Sequence, residues 1–172
     1  MIIRKETPAN YEQVYRLVKE AFSTSPHSEG DEQDYLNELR NSESFLPELS
    51  LVTESDSGQI IGQVVLTRMQ VSTSQGAYPA LLLSPISVLP AFFRRGVARR
   101  MLKTAIVEAD RMGYSAIFLC GDPAIYSRLG FRPSFEFGIR HIKDYTGNAT
   151  WCMALEIQPG SLQEVNGTVD IV

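Results

Sequence analysis

Apolar residues recur along this chain at two periods. Tyr11, Val14, Tyr15, Val18 and Phe22 follow helical spacing with Glu12, Arg16 and Lys19 on the opposite side. Thr7-Pro8 supplies an N-cap and a first-turn proline. That helix is expected to stop near residues 23–26, and residues 31–41 predict a second one with Tyr35, Leu36 and Leu39 inward. Residues 1–5 read as a short first strand. From Leu49 the period falls to two: Leu49, Leu51 and Val52 open a strand that turns at Asp56-Ser57-Gly58 and returns over residues 60–71. A second turn near Gln75-Gly76 leads into a strand over residues 80–88. Val97, Ala98, Met101, Leu102, Ala105, Ile106 and Ala109 then mark a long helix, followed by an apolar strand over residues 115–120.

Strand, helix and strand in that order make a right-handed crossover whose two strands lie parallel. Antiparallel hairpins followed by one such crossover predict an α+β domain, its mixed sheet mostly antiparallel with a parallel pair and flanking helices. The tail past Pro159 is polar and reads as an irregular or strand-like closure.

Charge changes the picture most at residues 81–111. Arg94, Arg95, Arg99 and Arg100 crowd the start of the long helix, where the helix dipole already leaves partial positive charge. A bound anion makes that arrangement favourable, because first-turn N–H groups and the close approach that Gly96 permits form a phosphate site. A solvated basic helix end is the alternative. No GxxxxGK[ST] or GxGxxG is present, so neither a Walker loop nor a dinucleotide fingerprint accounts for the cluster. The asymmetry continues on both sides. Residues 1–56 hold twelve acids against five bases, whereas residues 57–107 hold no acid and six bases. One stretch suits a cation and the other an anion.

The order Pro85-Ile86-Ser87-Val88-Leu89-Pro90, then Arg94-Arg95-Gly96-Val97-Ala98, resembles the acetyl-CoA motif [QR]xxGx[GA] of the GNAT superfamily of N-acetyltransferases. Asp122-Pro123-Ala124-Ile125-Tyr126 with Gly130-Phe131 resembles that superfamily's second CoA-contacting motif. The likeness covers the chain to about Glu156 and is nearest the YhbS-like branch of predicted acetyltransferases. One position departs: Phe93 stands where Gln or Arg is usual, which removes a side-chain contact but leaves backbone recognition.

The resemblance implies a GNAT-like acyl-CoA N-acyltransferase fold and transfer of an acetyl group from acetyl-CoA to an amine, a small molecule or a protein amino group, by direct attack in a ternary complex. It assigns cofactor binding to Ile86, Val88, Arg94, Arg95, Gly96, Val97, Ala98 and Arg99. Pantetheine amides pair with the backbone of Ile86 and Val88, the Val88 N–H faces the developing oxyanion, and Tyr126 protonates the departing thiolate. A regulatory module that binds acyl-CoA without turnover is the alternative. Glu29, Glu32, Glu43, Asp122, Glu136, His27 and His141 are all chemically able to act as base, and both histidines read as loop or surface residues. The acids Glu29, Asp31, Glu32, Asp34 and Glu38 are either a solvated helix face or a steering surface for a cationic acceptor.

Length and composition place these elements in one domain over residues 1–172, with a core to about 156 and a tail over 157–172; at 172 residues such a domain needs no staples. A net charge of −4 and a short basic patch argue against a nucleic-acid partner. MIIRKE is no signal peptide and no apolar run is long enough to span a bilayer, so a cytoplasmic protein with no membrane partner is expected. Cys120 and Cys152 read as buried reduced thiols, and no metal site is expected. Apolar edge segments in the last third suit a homodimer.

Overall fold

The computed structural model describes the whole chain, Met1–Val172. In order come β1 (Ile2–Lys5), α1 (Tyr11–Phe22), α2 (Glu32–Arg40), β2 (Phe45–Glu54), β3 (Ile60–Thr73), β4 (Gly76–Val88) and α3 (Val97–Arg111). They are followed by β5 (Ala116–Cys120), α4 (Pro123–Tyr126), β6 (Arg132–Pro133), β7 (Ile139–His141), β8 (Cys152–Glu156) and β9 (Gly167–Val169). The sheet runs β1-β2-β3-β4-β5-β8-β6, with β9 pairing both β3 and β7. β4 and β5 are parallel, as the crossover requires. The tail returns as β9 and makes a second parallel pair with β7 that the sequence pattern did not reveal. The class is α+β with a mixed sheet.

Two strands begin earlier than periodicity indicates. β2 starts at Phe45 because a register shift between Phe45 and Ser50 accommodates Pro47, a residue that otherwise argues against a strand. β4 starts at Gly76, ahead of the alternating run, and includes Pro79. At the N-terminus a short 3-10 turn, Pro8–Asn10, precedes α1. Asn10 Oδ1 accepts from the Thr7 N–H at 3.2 Å and its hydroxyl at 3.0 Å, so Thr7 caps that turn rather than the helix itself.

The chain divides into two compact units, Met1–Thr67 with Ser84–Glu108, and Arg68–Leu83 with Ala109–Val172. In the first, α1 and α2 pack on one another and bury Val14, Leu17, Val18, Leu36 and Leu39. A buried ion pair ties the end of α2 to the end of β1. Arg40 Nε donates to Glu6 Oε2 at 3.2 Å and its Nη2 donates to Oε1, with the two side chains only 5% and 2% exposed. Ser50 Oγ donates to the same carboxylate at 2.8 Å, and the guanidinium lies 4.0 Å from the Tyr11 ring centroid. Both carboxylate oxygens of Glu6 are thereby served, and Arg40 Nη1 donates to Asn37 Oδ1 at 2.6 Å.

α3 seats on β3 at Gly62. A Cβ there would lie 3.0 Å from Met101 Cε and Sδ and 3.1 Å from Val97 Cγ1, so only glycine lets the helix approach this closely. Val97, Met101, Leu102 and Ala105 are the buried side of α3 in this unit. Their spacing matches the helical stripe expected from the sequence.

In the second unit the core gathers Phe118, Cys152, Ala154, Ile139, Leu162 and Val169. Leu162 and Val169 belong to the tail, which is therefore a packed part of this unit. His141 lies in the same region, 3% exposed: Nδ1 accepts from the Lys143 N–H at 3.0 Å, which leaves Nε2–H to donate to the Ile171 carbonyl at 2.7 Å. The surface or loop position expected for this histidine is thus wrong. A buried imidazole needs both nitrogens satisfied, and the Lys143 amide serves one while the tail carbonyl of Ile171 serves the other.

Removing one member of the Glu6–Arg40 pair strands a buried charge. Glu6→Ala should lower unfolding free energy by about 3–5 kcal/mol in urea titrations, with Glu6→Gln losing less. A change below about 1 kcal/mol in Glu6→Ala would show that the pair contributes no more than an exposed one.

Candidate functional site

The end of β4 leads into the arginine cluster. Along it Pro85, Ser87 and Leu89 are buried, whereas Ser84, Ile86 and Val88 are half-exposed. The Leu89 amide donates to the Ile61 carbonyl of β3 at 2.9 Å. Amides alternate sides along a strand, so those of Ile86 and Val88 point to the edge away from β3. The parallel ladder with β5 registers only Leu81 and Leu82 of β4, leaving Ile86 and Val88 beyond it. Their backbone groups are therefore placed for an added strand-like partner.

After a 3-10 turn at Pro90–Phe92, the chain enters a loop of unusual backbone. Arg94 has φ 61° and Gly96 has φ 76°, both in the left-handed region. For glycine this is free, but for a side-chain-bearing residue it costs about 1–2 kcal/mol. Such strain persists where the surroundings or the function demand it. The Gly96 carbonyl accepts the first helical bond of α3, from the Arg100 amide at 3.1 Å. The amides of Val97 and Ala98 therefore precede the helical ladder and have no carbonyl inside the helix to bond. Nothing lies within 4 Å of the place a Gly96 Cβ would occupy.

Arg94, Arg95, Arg99 and Arg100 are all exposed around this turn. Arg95 lies 5.2 Å from the Phe92 ring centroid, a contact that orients its guanidinium. Phe93 is 48% exposed, so the residue that departs from the motif takes no place in the core. Ile86, Val88, Arg94, Arg95, Gly96, Val97, Ala98 and Arg99 thus lie along one continuous strand–loop–helix segment of the first unit.

Tyr126 belongs to the second unit, at the end of the four-residue α4. Asp122 caps this helix, its Oδ1 accepting from the Ala124 N–H at 2.9 Å, and Pro123 supplies the fixed φ of a first turn. Gly130, with φ 99°, ends the following 3-10 turn. Tyr126 meets Phe131 edge to face with centroids 6.2 Å apart. Its ring also rests on Gly121, where a Cβ would come within 2.5 Å of Tyr126 Cε2. Burial, and secondly the Asp122 carboxylate, push the phenol above its ordinary 10.0, so it keeps its proton through neutral pH.

Three further groups take places in the structure that the sequence did not single out. Gly121 carried no signal beyond standing before Asp122-Pro123. Tyr35 is half-buried on α2 and hydrogen-bonds Ser84 of β4, although its helical position marked it only as inward-facing. Glu32 Oε2, in the first turn of α2, is buried without a hydrogen-bond partner. Among the side chains able to serve as base, His141 and Asp122 are held by backbone groups, and Glu136 pairs with Arg132 at 2.8 Å. His27 is exposed. No group of three His, Cys, Asp or Glu side chains is arranged to hold a metal ion, and no helix is long and apolar enough to cross a membrane.

Comparison with known proteins identifies the family and the fold. The model of the acetyltransferase (GNAT) domain matches residues 2–134. The uncharacterized N-acetyltransferase YhbS of Escherichia coli is 29% identical over 140 residues, 81% of this chain and 78% of that protein. The crystal structure of YhbS from Escherichia coli, in complex with CoA, superimposes with a TM-score of 0.81 at 25% identity, covering 99% of this chain and 89% of that one. A GNAT family acetyltransferase from Brucella melitensis, in complex with acetyl-CoA, shares the fold with a TM-score of 0.76 at 23% identity over 99% and 95% of the two chains. With a matching domain model over most of its length and the loop, helix and strand edge in place, this chain belongs to the GNAT acetyltransferase family.

Proposed function

We propose that the protein is an acetyl-CoA-dependent N-acetyltransferase that acts on an amine by direct transfer in a ternary complex, with residues 1–172 working as one catalytic domain. The observation that carries this reading is the turn at residues 94–98. A left-handed Arg94 and Gly96 expose first-turn amides beside four exposed arginines, on a stretch with no acid from residue 57 to 107. The open space at Gly96 lets a diphosphate approach the backbone itself. The CoA and acetyl-CoA complexes of the structural relatives support the same ligand here.

Acetyl-CoA supplies the thioester whose acetyl group is transferred. The amides of Val97 and Ala98, with Gly96 and the guanidinium groups of Arg94, Arg95 and Arg99, bind the diphosphate. Ile86 and Val88 pair by backbone with the pantetheine amides, and the Val88 N–H donates to the carbonyl oxygen as charge builds there. Tyr126 holds its proton for the leaving sulfur. Its raised pKa lies above the ~8.5 of a simple thiol, so donation is uphill but affordable in a positioned transfer. The acceptor arrives as an ammonium ion and attacks as the free amine once its proton has passed to water: Glu32 presents a buried, unpartnered carboxylate oxygen, and α2 carries Asp34 and Glu38 besides. A buried carboxylate without a partner is costly, and an ammonium group relieves it.

Calorimetry with CoA tests the turn. Wild type should bind, and Arg95→Ala should weaken binding about 10- to 100-fold, the worth of a charge-assisted contact of about 1.5–3 kcal/mol. No heat from the folded protein would overturn the reading. Arg94→Gly relieves the left-handed strain and should raise unfolding free energy by about 0.5–1 kcal/mol while weakening CoA. A loss of stability would show that the side chain itself holds the loop.

Tyr126→Phe should lower kcat by about 10²–10³-fold with CoA affinity kept, whereas equal thiol release in both proteins assigns the protonation elsewhere. Gly121→Ala should lower kcat as well, by displacing the ring, in the same thiol-release assay; an unchanged rate means the ring's seat is unimportant. The phenol acts protonated, so the alkaline limb of kcat belongs above pH 10. Asp122→Asn removes one of the two effects that raise this pKa, and the limb should move to lower pH. A limb that stays in place excludes Tyr126 as its origin.

A further inference from the structure

Cys120 closes β5 and Cys152 opens β8, and the antiparallel register places them directly opposite each other. On the next rung the Gly121 amide donates to the Trp151 carbonyl at 2.8 Å. Bonded and non-bonded rungs alternate, so the cysteine rung is a non-hydrogen-bonded one, where opposed Cα atoms stand about 4.5 Å apart and side chains are closest. A disulfide spans Cα separations of about 4.4–6.8 Å. Both side chains rise from the same face of the sheet, directly across the rung from one another. Both are free thiols, but their environments differ: Cys152 is 1% exposed, while Cys120 is exposed. The expectation of two buried thiols fails at Cys120, because it stands at the open end of its strand.

We propose that Cys120 and Cys152 form a thiol–disulfide modification site, in which a small aliphatic disulfide enters at the exposed Cys120 and Cys152 closes the bond across the strands. The Cys120 thiol gives up its proton, which the departing small thiolate takes up through water, as the Cys120 sulfur attacks one sulfur of the small disulfide. That S–S bond breaks, and one small thiol leaves. Cys152 then attacks the Cys120 sulfur, the protein S–S bond forms, and the second small thiol departs. The protein loses two electrons and two protons, and the small disulfide gains both to become two thiols. The asymmetry suits this order. Cys152 stands opposite Cys120 on the same rung, within disulfide reach, so it is placed to resolve the mixed disulfide. Its burial leaves Cys120 as the point of entry.

The chain supplies its own reporter. Trp151, the single tryptophan, lies next to Cys152 and opposite Gly121, with its ring 4.9 Å from that of His141. The chemistry needs no acceptor and no acetyl-CoA, so it stands or falls apart from the proposed activity.

The full chain would be incubated with glutathione disulfide and read by intact mass, thiol alkylation after unfolding, and Trp151 fluorescence. The expected product is a monomer lighter by two hydrogens, with both cysteines protected, lowered Trp151 emission, and full reversal by dithiothreitol. Cys152→Ala should instead retain one glutathione on Cys120. Cys120→Ala should react at Cys152 at least about tenfold more slowly than wild type reacts, because entry is lost. Two free thiols in the folded wild type, or a stable glutathione adduct on wild-type Cys120, would overturn the proposal. The wild-type mass decides the matter even if the Cys152 variant fails to fold.

Discussion

The start of α3 is the constraint on which the first unit depends. Gly62 lets Met101 and Val97 press onto β3, which fixes where the helix begins. The chain must then enter that helix from the end of β4 within a few residues, and it does so through left-handed Arg94 and Gly96. Positive side chains at a helix N-terminus oppose the dipole, and a left-handed arginine adds backbone strain. Both costs fall on the same turn. An anion bound there offsets the first and gives the second a purpose, whereas a merely solvated basic helix end needs neither the exposed amides nor the strain.

The second unit solves a different problem, the placing of one phenol. Gly121 leaves room for the ring, Asp122 and Pro123 start the short helix that carries it, and Phe131 flanks it edge to face. The carboxylate that caps the helix also helps hold the proton on the phenol. One residue thus serves local structure and proton affinity together. The same strand, β5, ends in the exposed Cys120, so the rung that carries the thiol pair is adjacent to the glycine on which the ring rests.

Much of this was legible in the sequence, and the reasons for the remainder are specific. The α3 stripe, the parallel β4–β5 pair and the arginine turn follow from periodicity and charge, because each is a local pattern. Pro47 hid the start of β2, since the bulge that tolerates it depends on the partner strand. The polar tail concealed β9, whose pairing with β3 and β7 is decided by strands distant in sequence. His141 reads as a surface or loop residue in sequence because its partner, the Ile171 backbone, lies thirty residues away. The cysteine pair was invisible for the same reason: only the β5–β8 register brings positions 120 and 152 onto one rung. Space-making glycines at 62 and 121 have no sequence signature, as their role is set by what approaches them.

The claim at the centre is that the turn at residues 94–98 receives a diphosphate through its backbone amides. Amide NMR of the isotope-labelled chain, titrated with CoA, tests this most directly. The account predicts the largest shifts at Gly96, Val97 and Ala98, with smaller ones at Ile86 and Val88. Shifts concentrated elsewhere, with these amides unmoved at saturation, would contradict it.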